Sequence, residues 1–307
     1  MDKIFISTSS FGKYDPAIID ALKGRGLEPF LNPYGRKLSK SEIMQFLGGM
    51  RGLIAGTEVL DRDVLHSSRS LKVISRCGVG MENVDSKAAE ELGIKIFNTP
   101  DAPTVAVAEL TVGLILSILR CVPASDRGMR AGLWEKRMGS LLHGKKVGII
   151  GLGRIGKKVV ELIMPFGVEI LCYDLKLDNE FIDKYGIKNM SLRDLLTNSD
   201  IVTLHISSQE KKSPLIGRQE IGFMKKSAYL INASRGNIVD EVALVEALKD
   251  RRISGAAIDV YEKEPYQGPL SHLDNIVLTP HIGSYAKEAR MEMEKEAVKN
   301  LIRGLGL

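Results

Sequence analysis

The sequence predicts an α/β protein built from two doubly wound parallel-sheet domains. Three observations carry that expectation. Short β-branched runs alternate with amphipathic helical patterns throughout, the signature of parallel strands covered by helices. The alternation falls into two series separated by a proline-punctuated stretch. The chain has 307 residues, 44% hydrophobic and 26% charged, which is ordinary globular composition and enough length for about two domains.

Five strands make up the first series, at 3–7 (KIFIS), 28–32 (EPFLN), 52–56 (GLIAG), 71–75 (LKVIS) and 94–98 (IKIFN). Next comes the stretch NTPDAPTVAVAELTVGLILSILR, where Pro100 and Pro103 interrupt the pattern before a long apolar helix. The second series has strands at 146–151, 168–174, 200–206, 228–234, 253–260 and 275–280. A final helix carries Ala289, Met293, Ala297 and Leu301 at helical spacing. No third unit remains for it to cover, so it is expected to pack back onto the first. The expected division is therefore 1–99 plus 284–307 for one domain and 100–283 for the other, inserted within it.

Composition narrows the function. The 43 basic and 38 acidic residues give a net charge of +5, spread along the chain. A nucleic-acid footprint would need clustered cations with aromatic partners, so the doublets Lys145-Lys146, Lys157-Lys158 and Lys211-Lys212 read as solvated faces or anion-attracting rims. Cys77, Cys121 and Cys172 are three distant cysteines without CxxC spacing, which argues against a disulfide framework or a zinc site. The N-terminus shows no signal-peptide pattern. The longest apolar run, near 110–119, is too short to span a bilayer. The expectation is a cytoplasmic enzyme with neither a membrane nor a nucleic-acid partner and no metal.

The strongest local signal is VGIIGLGRIGKKVVELI. Gly151, Gly153 and Gly156 form G-x-G-x-x-G between a strand and a helix, and the next strand ends at Asp174. That whole context points to a Rossmann-type dinucleotide site. Gly151 allows the tight turn, Gly153 the approach of a pyrophosphate, and Gly156 close helix packing. The helix N-terminus offers free N–H groups. A carboxylate at Asp174 suits ribose hydroxyls and repels a 2′-phosphate, so NAD is expected over NADP.

Ligands of open α/β sheets sit beyond the carboxyl ends of strands. His205, Ser234, Arg235, Asp259, Glu264 and His281 all fall at such ends in the second series. His281 lies between Pro280 and Ile282 at a chain reversal, where a lone histidine would ordinarily be a surface turn. His205 is as readily a core histidine as a functional one. The convergence of an arginine, a carboxylate and an imidazole on one edge favours chemistry.

These stretches, CGVGMENVD (77–85), GLGRIG (151–156), NASRGNIVDEVAL (232–244), GAAIDVYEKEP (255–265) and TPHIGS (279–284), in this order, resemble the D-isomer-specific 2-hydroxyacid dehydrogenase family, most of all its 3-phosphoglycerate dehydrogenase branch. The resemblance runs along nearly the whole chain. It implies a Rossmann NAD-binding domain inserted into a flavodoxin-like substrate domain, and catalytic roles for Arg235, Glu264 and His281. It places cofactor contacts on Arg154, Ile155, Asp174, Ala233, Ser234, Arg235, Asp259, His281 and Gly283, alongside the glycines and His205. The implied activity is hydride transfer between NAD(H) and a small D-2-hydroxy or 2-oxo acid. The leading expectation is 3-phosphoglycerate, with hydroxypyruvate or glyoxylate as the alternative. A non-catalytic NAD-sensing interaction protein is the reading of another class.

The residue types suit that chemistry. Imidazole at His281 exchanges protons near neutral pH, and Glu264 can orient it. Arg235 offers a planar cationic fork to a carboxylate. In CGVGMENVD, the backbone of Gly78, Val79 and Gly80 can form an anion nest, and Arg76 is a candidate for a further anionic group such as a phosphate. Phosphoglycerate-directed members often carry a basic residue after the third strand; here GLIAGTEVL has none. Where the family commonly has proline after His205, this chain has Ser207. The chain reads as a short form, without the regulatory domain of longer relatives. The 104–138 region resembles the family's dimer-forming segment, with Trp134 either an interface anchor or ordinary packing.

Overall fold

A computed structural model describes residues 1–206 and 213–307. Ser207, Lys211 and Lys212 lie outside the described residues. The chain divides into two compact units, Met1–Pro103 with Tyr285–Leu307, and Thr104–Ser284.

The first unit carries β1 (Asp2–Ile6), β2 (Leu27–Leu31), β3 (Gly52–Ala55), β4 (Val73–Arg76) and β5 (Lys95–Phe97). All pair in parallel, in the order β2-β1-β3-β4-β5. Helices cover both faces, which explains why the strands read as unbroken apolar runs. Phe5, Leu53 and Ile74 meet Ile43, Leu47, Val64 and Leu65 on one face. On the other, Ile4, Ile6, Ile54 and Val73 meet Ile18, Leu22 and the last helix, Lys287–Leu305, through Met293, Ala297 and Leu301. That helix also buries Glu294, which accepts from Gly12 N (3.0 Å) and Arg290 Nε (2.9 Å). Burial pushes its carboxyl above the usual range.

The second unit carries β6 (Lys146–Ile150), β7 (Glu169–Tyr173), β8 (Lys188–Asn189), β9 (Ile201–Leu204), β10 (Tyr229–Asn232), β11 (Gly255–Ile258) and β12 (Ile276–Leu278). The parallel order is β12-β11-β10-β9-β6-β7-β8. This is the doubly wound order in which the direction of winding reverses between β6 and β9, and the crevice outside their carboxyl ends is the ligand position of such sheets. β8 is absent from the sequence expectation. It is two exposed polar residues at the sheet edge, too short to show alternation. The apolar Thr104–Leu119 helix has half of its residues buried and packs on the Arg154–Ile163 helix. No single described helix is long and apolar enough to cross a membrane.

Candidate active site

The glycine loop follows β6 at the reversal. Gly151 has φ +96°, and a side chain there would meet the backbone of His205 at 2.7 Å. A Cβ on Gly156 would lie 2.1 Å from the Gly151 carbonyl oxygen, so only glycine lets the following helix begin against the loop. Gly153 is the N-cap of that helix and provides no side-chain cap; nothing lies within 4 Å of where its Cβ would be. The first-turn N–H groups of that helix thus face outward without a side-chain cap, the arrangement that receives an anion. Asp174 accepts from Leu152 N (2.5 Å) and Lys176 N (2.9 Å), which fixes its carboxylate beside the loop. An uncapped helix start, an open glycine and a fixed carboxylate fit a dinucleotide.

His205 continues from β9, and its N–H donates to Ile150 O at 2.7 Å. Its Nε2 lies 3.0 Å from Thr203 Oγ1, while Nδ1 is shut off from water with no partner among the described residues. Burial pushes its pKa down to about 3, so the ring is neutral at working pH.

Arg235 follows β10. The turn is set by the buried Asn232, which accepts from Ser234 N (3.1 Å) and Ser234 Oγ (2.9 Å) and donates to Arg235 O (2.9 Å). Ala233 is buried within it. Arg235 Nη1 donates to Ser234 O at 2.8 Å.

Asp259 follows β11 and is fully buried. Its Oδ1 accepts from Thr279 Oγ1 (2.6 Å) and Ile282 N (2.8 Å), and its Oδ2 from Gly283 N (2.9 Å). These donors flank His281, which sits at φ +54°. Sequence placed Asp259 and Gly283 among the cofactor contacts; in the structure they brace the histidine turn. Glu264 meets His281 on its other side, with Nδ1 at 2.8 Å from Oε2 and 3.0 Å from Oε1. A carboxylate can only accept, so Nδ1 carries the proton and Nε2 is the nitrogen left for chemistry. Glu264 Oε1 is also held by Tyr261 N at 3.2 Å, and the Tyr261 hydroxyl lies 2.9 Å from Thr279 O. Both histidine and glutamate side chains keep solvent contact.

Arg235, Glu264 and His281 therefore stand on loops after three adjacent strands, β10, β11 and β12. Asn232, Tyr261 and Thr279 were missed by sequence reasoning, although all three lie inside stretches that it had singled out. A search for polar as well as ionisable residues at strand ends would have found them.

The nest expected in the first unit needs one correction. Gly78 N donates to Thr99 Oγ1 (2.7 Å) and lies 3.0 Å from Arg76 O, so it is not bare. Gly78 serves by conformation instead, with φ +145° and the Arg76 guanidinium where a side chain would be. Val79 and Gly80 keep N–H groups with no partner among the described residues. Arg76 Nη1 donates to Cys77 O at 2.6 Å. Burial raises the thiols of Cys77 and Cys172 to about 11, so both stay protonated. Among the described residues no group of three His, Cys, Asp or Glu could hold a metal.

Residues 112–283 match the family model of the D-isomer specific 2-hydroxyacid dehydrogenase, NAD binding domain. The D-3-phosphoglycerate dehydrogenase of Methanocaldococcus jannaschii is 40% identical over 276 residues, 87% of this chain and 52% of that protein. The chain thus spans about half the length of the curated phosphoglycerate dehydrogenases it matches. The glyoxylate reductase of Thermofilum pendens is 42% identical over 259 residues, 80% of this chain and 75% of that one. Among solved structures, the TT0316 protein from Thermus thermophilus superposes with a TM-score of 0.91 at 34% identity, covering 99% of this chain and 97% of its own.

The half-buried, neutral His205, whose Nδ1 is shut off from water, has a consequence for stability. Its proton binds more readily in the unfolded chain, so stability is full above the ordinary histidine value of 6.5 and is lost as pH falls toward about 3. In urea unfolding over that window, His205→Gln is expected to flatten the acid limb by up to ~1.4 kcal/mol per pH unit. Identical slopes in both proteins would contradict the burial.

Proposed function

Because the chain belongs to the D-isomer-specific 2-hydroxyacid dehydrogenase family, we propose that it interconverts a small D-2-hydroxy acid and its 2-oxo acid with NAD. In the reducing direction, a 2-oxo acid, NADH and a proton give the hydroxy acid and NAD⁺. The observation that carries this reading is the His281–Glu264 pair beside Arg235 at the ends of adjacent strands. The relatives' names differ in the acid they act on, and small 2-oxo acids are what they have in common.

The NAD(H) molecule supplies the hydride acceptor or donor when bound. The loop Gly151–Gly156 with Arg154 and Ile155 would hold its pyrophosphate, and Asp174 its ribose hydroxyls. Ala233, Ser234 and the neutral His205 would line the remainder of that crevice.

His281 does the proton work. In reduction its Nε2 gives a proton to the carbonyl oxygen; in oxidation it takes the hydroxyl proton. Glu264 keeps Nδ1 protonated and the ring oriented, as the carboxylate does in hydrolytic triads. Arg235 binds the substrate carboxylate and polarises the reacting oxygen with one planar fork.

We also place a homodimer interface in the 104–138 region. Trp134, the only tryptophan, is 80% exposed and Met138 is 96% exposed, so neither serves packing within the chain. A run of exposed large apolar side chains marks an association surface.

Turnover of glyoxylate, hydroxypyruvate, pyruvate or 3-phosphohydroxypyruvate with NADH, followed by the loss of NADH absorbance, tests the reading. His281→Ala is expected to lower kcat by about 10²–10⁴-fold, and Asp259→Ala to lower kcat more than it weakens NADH binding. No turnover of any of these acids, or undiminished turnover by His281→Ala, sinks the proposal. Light scattering should show a dimer that Trp134→Arg converts to monomer; a monomeric parent chain rules out the interface.

A further inference from the structure

We propose that Tyr261 and Tyr266 are positioning residues for the His281–Glu264 pair, a stacked aromatic clip that keeps an exposed carboxylate within reach of the imidazole. The inference rests on the dehydrogenase reading and deepens it, assigning residues that act on the reaction through Glu264.

The placement of Glu264 needs an explanation. Residues 259–268 belong to no helix or strand, and Glu262, Lys263, Glu264 and Pro265 are all exposed. A carboxylate on an irregular, solvated loop ordinarily samples many rotamers, and ordering it costs entropy. Yet its two oxygens lie 3.0 and 2.8 Å from His281 Nδ1. The residues on either side of the exposed run account for this. Tyr261 is buried at 8% exposure and Tyr266 is half-buried, and their rings stack with centroids 4.4 Å apart and planes at 22°. The stack brings the two ends of the run together, so Glu264 belongs to a short loop closed at its base.

Each tyrosine is itself anchored. Tyr261 N donates to Glu264 Oε1 at 3.2 Å, and the neighbouring Glu262 N donates to Glu241 Oε1 at 2.7 Å. Ladder pairing from β12 to β11 runs as far as Thr279 N, which donates to Ile258 O at 3.0 Å. The Tyr261 hydroxyl takes the next carbonyl, Thr279 O, at 2.9 Å, two residues before His281. Its single proton therefore links the loop of Glu264 to the strand that delivers the histidine. Burial pushes this phenol above its usual range, so it remains a donor. Tyr266 is fixed at its far end, where its hydroxyl accepts from Leu270 N at 3.1 Å.

The test follows NADH loss with glyoxylate on the full chain and reads the His281 tautomer by side-chain ¹⁵N NMR. Tyr261→Phe keeps the stack and removes the hydroxyl bond. It is expected to lower kcat about fivefold while the KM for NADH moves less than about twofold. Tyr266→Leu removes the stack and should lower kcat by a similar factor, with Tyr266→Phe recovering most of the loss. In both impaired variants the neutral His281 ring, protonated at Nδ1 in the parent, should show a share of the Nε2–H tautomer. In a Glu264→Ala background, Tyr261→Phe should change kcat by less than about twofold, because the tyrosine acts through the carboxylate. A lowered melting temperature with kcat and tautomer unmoved would make the tyrosines merely structural and overturn the inference. Losses in kcat that add to that of Glu264→Ala would overturn it too. If Tyr266→Leu does not fold, Tyr261→Phe still decides. If the parent reduces neither glyoxylate nor the other three acids, the dehydrogenase reading falls, and the tautomer measurement alone decides the positioning.

Discussion

The buried carboxylate of Asp259 holds the turn at His281 from both sides. It accepts from Thr279 before the histidine and from Ile282 and Gly283 after it. The magnitudes show why the turn persists. A non-glycine residue at φ +54° carries strain of ~1–3 kcal/mol. Hydrogen bonds to a charged acceptor each contribute ~1.5–3 kcal/mol. Three such bonds outweigh the strain, and the histidine stays where a flexible loop would not keep it. Its ring is then available to Glu264, and the proposed proton transfer has a fixed origin.

The surrounding contacts serve the same end. Tyr261 ties the Glu264 loop and the Thr279 strand end together, and Gly236 lets the Arg235 turn lie against Tyr261, where a side chain would sit 2.0 Å from its backbone. The three loops behave as one block because backbone meets backbone. Around the glycine loop the logic repeats: Gly156 under the Gly151 carbonyl, and Asp174 on Leu152 N. Each site is rigid through close packing at the carboxyl edge of a parallel sheet.

Much of this was legible in the residues. Eleven of the twelve strands show as apolar runs because both sheet faces are covered, and β8 does not because it is polar and two residues long. The glycine loop, Asp174, Arg235, Glu264 and His281 were readable because their chemistry depends on residue type at strand ends. What stayed hidden depends on pairing across sequence distance. Nothing near Gly78 announces that Thr99 occupies its N–H. Nothing in GAAIDV says that both Asp259 oxygens reach residues 20 to 24 positions on. The hydrogen bond from Ser7 to Glu58 likewise joins two strand ends that only the sheet order brings together.

The account turns on which nitrogen of His281 is free. ¹⁵N NMR of the histidine side chains, with His281 assigned through His281→Gln, reads this directly. The hydrogen bond to Glu264 predicts a neutral ring protonated at Nδ1, with the lone pair on Nε2. A neutral ring protonated at Nε2 would contradict the proposed proton transfer, because the nitrogen meant to serve the substrate would then lack a lone pair.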